Sequence, residues 1–432
     1  MRVVAGHGVR LRVPVRHQVI ATYASLDGRL AADHRVRGVV ALIEGLPQDG
    51  LLGKILARGS NAGAPAISPT LLLSLWVWAL TDGVASAREI ARLVNEHDVY
   101  RWIAGGVNVS AHVLSDFRKH NGETFYELVI FVVAMARRHG LVELWRTAQD
   151  GTRVRADAAP DSFRREATLE ECRIEAEQHL REVLASASDA KLSAVAKAAQ
   201  ERGARDRLAR VEAALAELPK VLEAKERNGA DLEKSPPRTS TTDAEARVMK
   251  MPDGGFRPGY NLQFAENVEG ALKLIVGVAV TNSGSDQPQA TPMREQLAKH
   301  YGSGPTEHLV DGGYASHDAI DEAASDGCDL LAPLPKPRAG ARPSGEARAS
   351  DSKAVAEWRE RMQTDEAKRT YKLRSQICEL PHADGKKDRG LGHLPIRGLD
   401  GAFACASLFA LTFNLGRVLS YLLADGSLPS TV

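Results

Sequence analysis

Apolar residues recur at helical spacing from Arg37 to His139. The clearest runs are Pro69-Thr-Leu-Leu-Leu-Ser-Leu-Trp-Val-Trp-Ala-Leu, Ser86-Ala-Arg-Glu-Ile-Ala-Arg-Leu-Val, and Val113 to Arg138. The pattern predicts an all-helical N-terminal domain over residues 1–140. Short helices joined by tight turns between Ala85 and Lys119 suit a helix-turn-helix, which lays one helix in the DNA major groove. The most apolar run, Leu71 to Leu80, stops at Asp82. That is about half of the ~20 residues a membrane helix needs, so it reads as a buried helix.

From Leu141 the period changes. Leu144-Trp-Arg-Thr-Ala-Gln-Asp-Gly-Thr-Arg-Val-Arg reads as extended chain with a turn at Asp150-Gly151. Residues 165–238 form a charged helical insertion, in which Leu208, Val211, Leu215, Leu218 and Leu222 keep a 3-4 spacing. That seam serves either an intrachain hairpin or a contact between copies. Pro258 to Gln263 and Leu272 to Thr281 read as strands with Gly270 between them, and Pro292 to His300 as a helix. Glu307-His-Leu-Val and Cys328-Asp-Leu-Leu-Ala are short strands around another helix. This alternation predicts a mixed α/β domain over residues 141–397. Residues 334–352, rich in Pro, Gly, Arg and Ala, read as a linker, a helical pattern covers Lys353 to about Glu379, and a last apolar helix occupies 398–432.

Charge modifies this picture only locally. The chain has a net charge of +1, too little for a protein that coats nucleic acid. Residues 1–40 nevertheless carry seven Lys/Arg against two Asp/Glu, and residues 335–397 fifteen against nine, so each of these segments is basic. The four cysteines lie far apart, without zinc spacing, and read as reduced thiols. With no secretory signal in MRVVAGHGVRLRVPV and no membrane segment, a cytoplasmic protein is expected. No phosphate-binding glycine loop occurs, so nucleotide hydrolysis is not supported.

Two aspartates stand where strands run into glycine, Asp150 and Asp311, and a late helical glutamate follows at Glu379. Asp-Gly is also a common turn signal, and these positions alone decide little. The order Asp150-Gly-Thr-Arg-Val-Arg-Ala, Asp243-Ala-Glu-Ala-Arg, Pro258-Gly-Tyr-Asn-Leu-Gln, Asp311-Gly-Gly-Tyr, then Tyr371 to Arg397-Gly-Leu resembles the DDE transposases of bacterial insertion sequences over nearly the whole chain. Ser110-Ala-His-Val-Leu-Ser-Asp-Phe-Arg likewise resembles the domain that precedes catalysis in that family.

The resemblance implies an RNase H-like catalytic domain with Asp150, Asp311 and Glu379 as metal ligands. Two Mg²⁺ ions, or Mn²⁺ in their place, would activate the attacking oxygen and stabilise the leaving one. It implies cleavage and strand transfer at element ends, on double-stranded DNA bound by a homo-oligomer in the bacterial cytoplasm and nucleoid. The competing readings are a catalytically inactive, domesticated transposase that only binds DNA, and an RNase H-like nuclease that only hydrolyses. Relatives carry a tyrosine, an arginine and a lysine around the glutamate, for which Tyr371, Arg374 and Lys386 are candidates. Arg374 precedes Glu379 by five residues, about 140° round a helix, whereas Lys372 shares the glutamate's face. Pro381 is expected to end the helix and leave Lys386 on a loop. Lys372, Arg374 and Lys386 are the candidate DNA contacts. His317 reads as the start of a helix, Asp243 as an N-cap for 244–250, and Trp76, Trp78 and Trp102 as helical core.

Overall fold

The computed structural model describes residues 2–6, 9–13, 24–55, 57, 65–186, 193–336 and 345–426. The chain opens on a two-stranded antiparallel ribbon, β1 (Arg2–Gly6) and β2 (Val9–Val13). The first 140 residues are therefore not wholly helical, since alternating residues of a short hairpin carry no 3.6-residue signal. Among the described residues seven α-helices follow: α1 (Arg35–Glu44), α2 (Asp49–Leu52), α3 (Pro69–Thr81), α4 (Ala87–Glu96), α5 (Asp98–Ala104), α6 (Ala111–His120) and α7 (Gly122–Arg138). Their ends have local causes. The Ser86 and Ser110 hydroxyls accept from the Glu89 and Val113 amides. Gly105 closes α5 with a left-handed φ of 57°. Trp76 is fully buried, its Nε1 donating to the Leu114 carbonyl at 3.0 Å, so the indole belongs to the core as the periodicity predicts.

The sheet is built from β3 (Glu143–Arg155), β6 (Arg247–Lys250), β7 (Phe256–Glu269), β8 (Ile275–Thr281), β9 (Glu307–Leu309) and β10 (Asp329–Leu331). Strands β10, β9 and β3 run parallel, and β7 is antiparallel to β3. The far edge of β7 pairs first with β6 and then with β8. Two short strands, β4 (Phe163–Arg164) and β5 (Thr239–Ser240), close the base of the insertion. The insertion itself is α8 (Glu166–Ala185) packed on α9 (Ala194–Arg227), where Leu169, Ala214 and Leu218 form a small core of their own. The seam is thus used within the chain.

Helices α10 (Ala290–Tyr301) and α11 (His317–Ser325) alternate with the parallel strands, and Ser316 caps α11 as expected. The linker expected over 334–352 lies partly outside the described residues. The helical run after it is two helices, α12 (Lys353–Arg361) and α13 (Asp365–Lys387). Helix α13 continues through Pro381, so Lys386 is helical and not on a loop. The last helix, α14 (Leu399–Ala424), is apolar enough to span a membrane, yet 78% of that window is buried against the protein. It packs on α3, α7 and β8, so the N-terminal helices and the sheet share one hydrophobic core. Asn414 binds it to the sheet edge: the Ile275 amide donates to Asn414 Oδ1 and Asn414 Nδ2 donates to the Ile275 carbonyl, both at 2.8 Å.

Candidate active site

The Asp150-Gly151 pair is not a turn. It sits in the middle of β3, with Asp150 opposite Phe264 and Ala148 opposite Glu266 of β7. Glycine is required there for a packing reason: a Cβ on Gly151 would lie inside van der Waals contact with Asp286 Oδ1 and Gln263 Nε2. On its other side, β3 pairs Ala148 with Leu309 of β9. Continued two residues, that parallel register brings Asp311 level with Asp150, just past the end of β9.

The face of β3 bearing Gln149 and Gly151 is held by a buried polar network. Thr147 Oγ1 bonds His308 Nδ1 at 2.8 Å, and His308 Nε2 bonds Gln149 Oε1 at 2.9 Å. Gln149 Nε2 donates to Gln263 Oε1 (2.8 Å), the Tyr314 hydroxyl donates to the same oxygen (2.6 Å), and Gln263 Nε2 donates to Asp286 Oδ1 (2.8 Å). Burial pushes His308 down to about 3, so it stays neutral and serves as a fixed link in this chain of hydrogen bonds. Sequence reading gave these residues no role, because Asn, Gln and Thr in a strand carry no chemical signature until their partners are known.

On the other face Asp150 meets α13. Arg374 Nη2 donates to Asp150 Oδ1 at 2.8 Å, and His382 Nε2 stands 3.9 Å from Oδ2, too far for a hydrogen bond. Burial raises the Asp150 carboxyl above its usual range. The Arg374 guanidinium opposes that shift, and the neighbouring charges of Asp311 and Asp286 add to it. Burial also pushes His382 down to about 3 and lowers Lys386, whose charge senses Asp150. Tyr371 and Arg374 lie within range of both aspartates. Asp311 Oδ1 accepts from the Gly313 amide at 2.6 Å.

The structure thus brings together Asp150, Asp311, Arg374 and Lys386. Glu379 and Lys372 are exposed on the outer face of α13. The inward face of that helix is Tyr371, Arg374, Cys378 and His382. Carboxylate oxygens suit a hard divalent ion, yet Arg374 occupies one of those of Asp150. Among the described residues no three of His, Cys, Asp or Glu are placed to hold a metal as they stand.

Asp243 is no helix cap, because residues 244–250 form a turn and β6. Its buried carboxylate accepts the Tyr260 hydroxyl at 2.7 and 2.8 Å and the Gly398 amide at 3.3 Å, which secures β7 to the start of α14. Burial raises its pKa against those hydrogen bonds.

Two family models match the chain. One, described as "Transposase domain (DUF772)", covers residues 24–120 and the other, "Transposase DDE domain", covers residues 232–415. The chain belongs to the DDE transposases of insertion-sequence type. The family consists of DNA-cleaving and DNA-joining enzymes that generally use divalent metal ions. No curated protein and no solved structure matches the transposase. The first model takes in α1 to α6, and the second contains Asp311 and Glu379. Asp150 falls between them, in the stretch that carries the helical insertion, so its assignment rests on its place beside Asp311.

Proposed function

We propose that this transposase cleaves DNA at the ends of its insertion sequence and transfers the freed 3′ ends to target DNA. In this reading Asp150, Asp311 and Glu379 hold two divalent ions, Mg²⁺ or Mn²⁺. The observation that carries it is the juxtaposition of Asp150 and Asp311 on neighbouring parallel strands, with charges that act on one another. The order of three parallel strands flanked by antiparallel β7 and β8 supports an RNase H-like domain. Bound divalent ions supply a deprotonated attacking oxygen and charge on the leaving oxygen.

The protein's own groups prepare that chemistry. The polar network beneath β3 fixes the Asp150 backbone, and Arg374 and Lys386 add positive charge where a DNA phosphate would arrive. Neutral His382 keeps further positive charge out of the site. Glu379 enters from the family resemblance and from its place on the helix that covers Asp150. It faces solvent, so a turn of α13 about its axis belongs to the proposal. Helices α4 to α6 would bind the element ends, and synapsis of two ends would use more than one copy, acting on the bacterial nucleoid in the cytoplasm.

A second reading, a DNA-binding protein that no longer cuts, is favoured by the outward position of Glu379 and by the guanidinium on Asp150. Cleavage of labelled DNA carrying the element's own ends, with Mg²⁺ or Mn²⁺, separates the two. Cutting and joining by the wild type that is lost in Asp150→Asn, Asp311→Asn and Glu379→Gln, with end binding retained, supports the first. End binding without cutting supports the second. Cutting without joining points to a hydrolytic nuclease.

A further inference from the structure

A groove of about 1580 Å³ separates the helical insertion from the domain that carries the sheet. Residues of the loop 282–288 line it, and that loop also meets β3: Asp286 accepts from Asn261 and Gln263 beside Gly151, and the Gly284 carbonyl accepts from Arg153 at 2.7 Å. The groove is thus one loop away from the strand that carries Asp150. Its two walls differ in charge. The insertion side presents Lys225, Arg227, Lys234 and Arg238, whereas Glu295, Asp318 and Glu322 line the side of α10 and α11. Arg227 and Lys234 pair within the insertion, with Glu223 and Asp231, and among the described residues no ion pair joins one wall to the other. Those two exposed pairs contribute little, so their cations are free to turn to another anion. Lys225 and Arg238 have no carboxylate at ion-pair distance among the described residues. Lys225 Nζ donates to the Ser235 carbonyl at 2.8 Å and to Ser235 Oγ at 2.6 Å, which fixes the ammonium and leaves it one further N–H. Burial lowers the Lys225 pKa, and the neighbouring charge of Arg238 lowers it further. Two like charges held side by side repel, and an anion placed against both removes that cost.

We propose that the insertion wall of this groove binds the phosphate backbone of duplex DNA beyond the sequence recognised at the element end, with Lys225 and Arg238 as its fixed contacts. This rests on the proposed action at DNA ends. The acidic wall opposite sets the side on which the backbone lies, and contacts to phosphate alone read no sequence. The test is fluorescence anisotropy of the full-length protein without divalent ions, over a series of KCl concentrations, on two labelled duplexes: one with the element's end and its flank, the other of unrelated sequence. The double variant Lys225→Gln/Arg238→Gln is expected to lower the slope of log affinity against log salt by about two, and to weaken both duplexes about tenfold with the preference for the end unchanged. Lys225→Arg and Arg238→Lys should keep the wild-type slope. Arg181→Gln on α8, exposed and outside the groove, controls for lost charge alone. If the double variant does not fold, Arg238→Gln, at an exposed position, decides by a drop of about one. A wild-type slope in the charge-removing variants overturns the proposal, as does an equal drop in Arg181→Gln. Unchanged DNA binding with a wider molecule in small-angle scattering also overturns it, since the two walls would then act on each other. If the wild type shows no preference for the element's end, end recognition falls, while the change in slope still decides the groove.

Discussion

Gly151→Ala tests whether the network beneath β3 is what sets the candidate site. The added methyl would press on Asp286 Oδ1 and Gln263 Nε2 well inside contact distance, and would lie 3.0 Å from Asn261 Oδ1. None of these can retreat freely: Asn261 is fully buried and donates to Asp286 at 2.6 Å, and Gln263 is fully buried and also accepts from Tyr314. Overpacking a tight interior costs about 1–3 kcal/mol. Separating Gln263 from Asp286 leaves a buried donor unpaired, at about 1–3 kcal/mol more. The expected loss is therefore about 2–6 kcal/mol, read from urea titrations followed by circular dichroism and by tryptophan fluorescence, to which Trp145 on the same strand contributes. Gly203→Ala is the control. It lies in the interior of α9 with nothing within 4 Å of the new methyl, and removing a helical glycine is expected to stabilise by about 0.5–1 kcal/mol. A Gly151→Ala protein within about 0.5 kcal/mol of wild type would refute the packing argument.

Three further outcomes are expected. Asn414→Leu leaves the buried amide and carbonyl of Ile275 without partners, and should cost about 2–6 kcal/mol in chemical denaturation; an effect below about 1 kcal/mol would mean that β8 does not need the cap. His308, with its folded pKa pushed down to about 3 from 6.5, contributes stability that is fully present above pH 6.5 and is lost as the pH falls toward 3. From pH 6.5 to 5 the wild type should lose about 2 kcal/mol more than His308→Gln, and parallel stability curves would show that His308 does not carry the difference. Trp76→Ala should cost about 3–5 kcal/mol, because the indole is fully buried and donates to the Leu114 carbonyl, and a near-neutral change would refute its place in the core.

How far the site was legible depended on the kind of signal each residue carries. Helical periodicity is local, so α3, α4, α6, α7 and α14 could be read directly, and the capping serines marked where several begin. Asp311 could be found because the chain turns there: it ends a short strand and its Asx turn uses Gly313. Asp150 was singled out as a candidate for a partly wrong reason. Its Asp-Gly resembles a turn, whereas Gly151 is imposed by side chains that arrive from residues 261, 263 and 286, which no local pattern announces. The N-cap expected at Asp243 failed similarly, because its partners Tyr260 and Gly398 are distant in sequence.

The amino-acid sequence alone determined the class of the protein, the helical and strand segments, the inserted hairpin and the order of its acidic residues. Each of these follows from residue type, spacing and family resemblance. Only the tertiary structure decided which side chains of α13 meet Asp150. Residues five apart on a helix diverge by about 140°, so Arg374 turns inward while Glu379 turns to solvent. It also decided that Glu266 is buried, since the face a strand residue occupies depends on register with neighbours more than a hundred positions away.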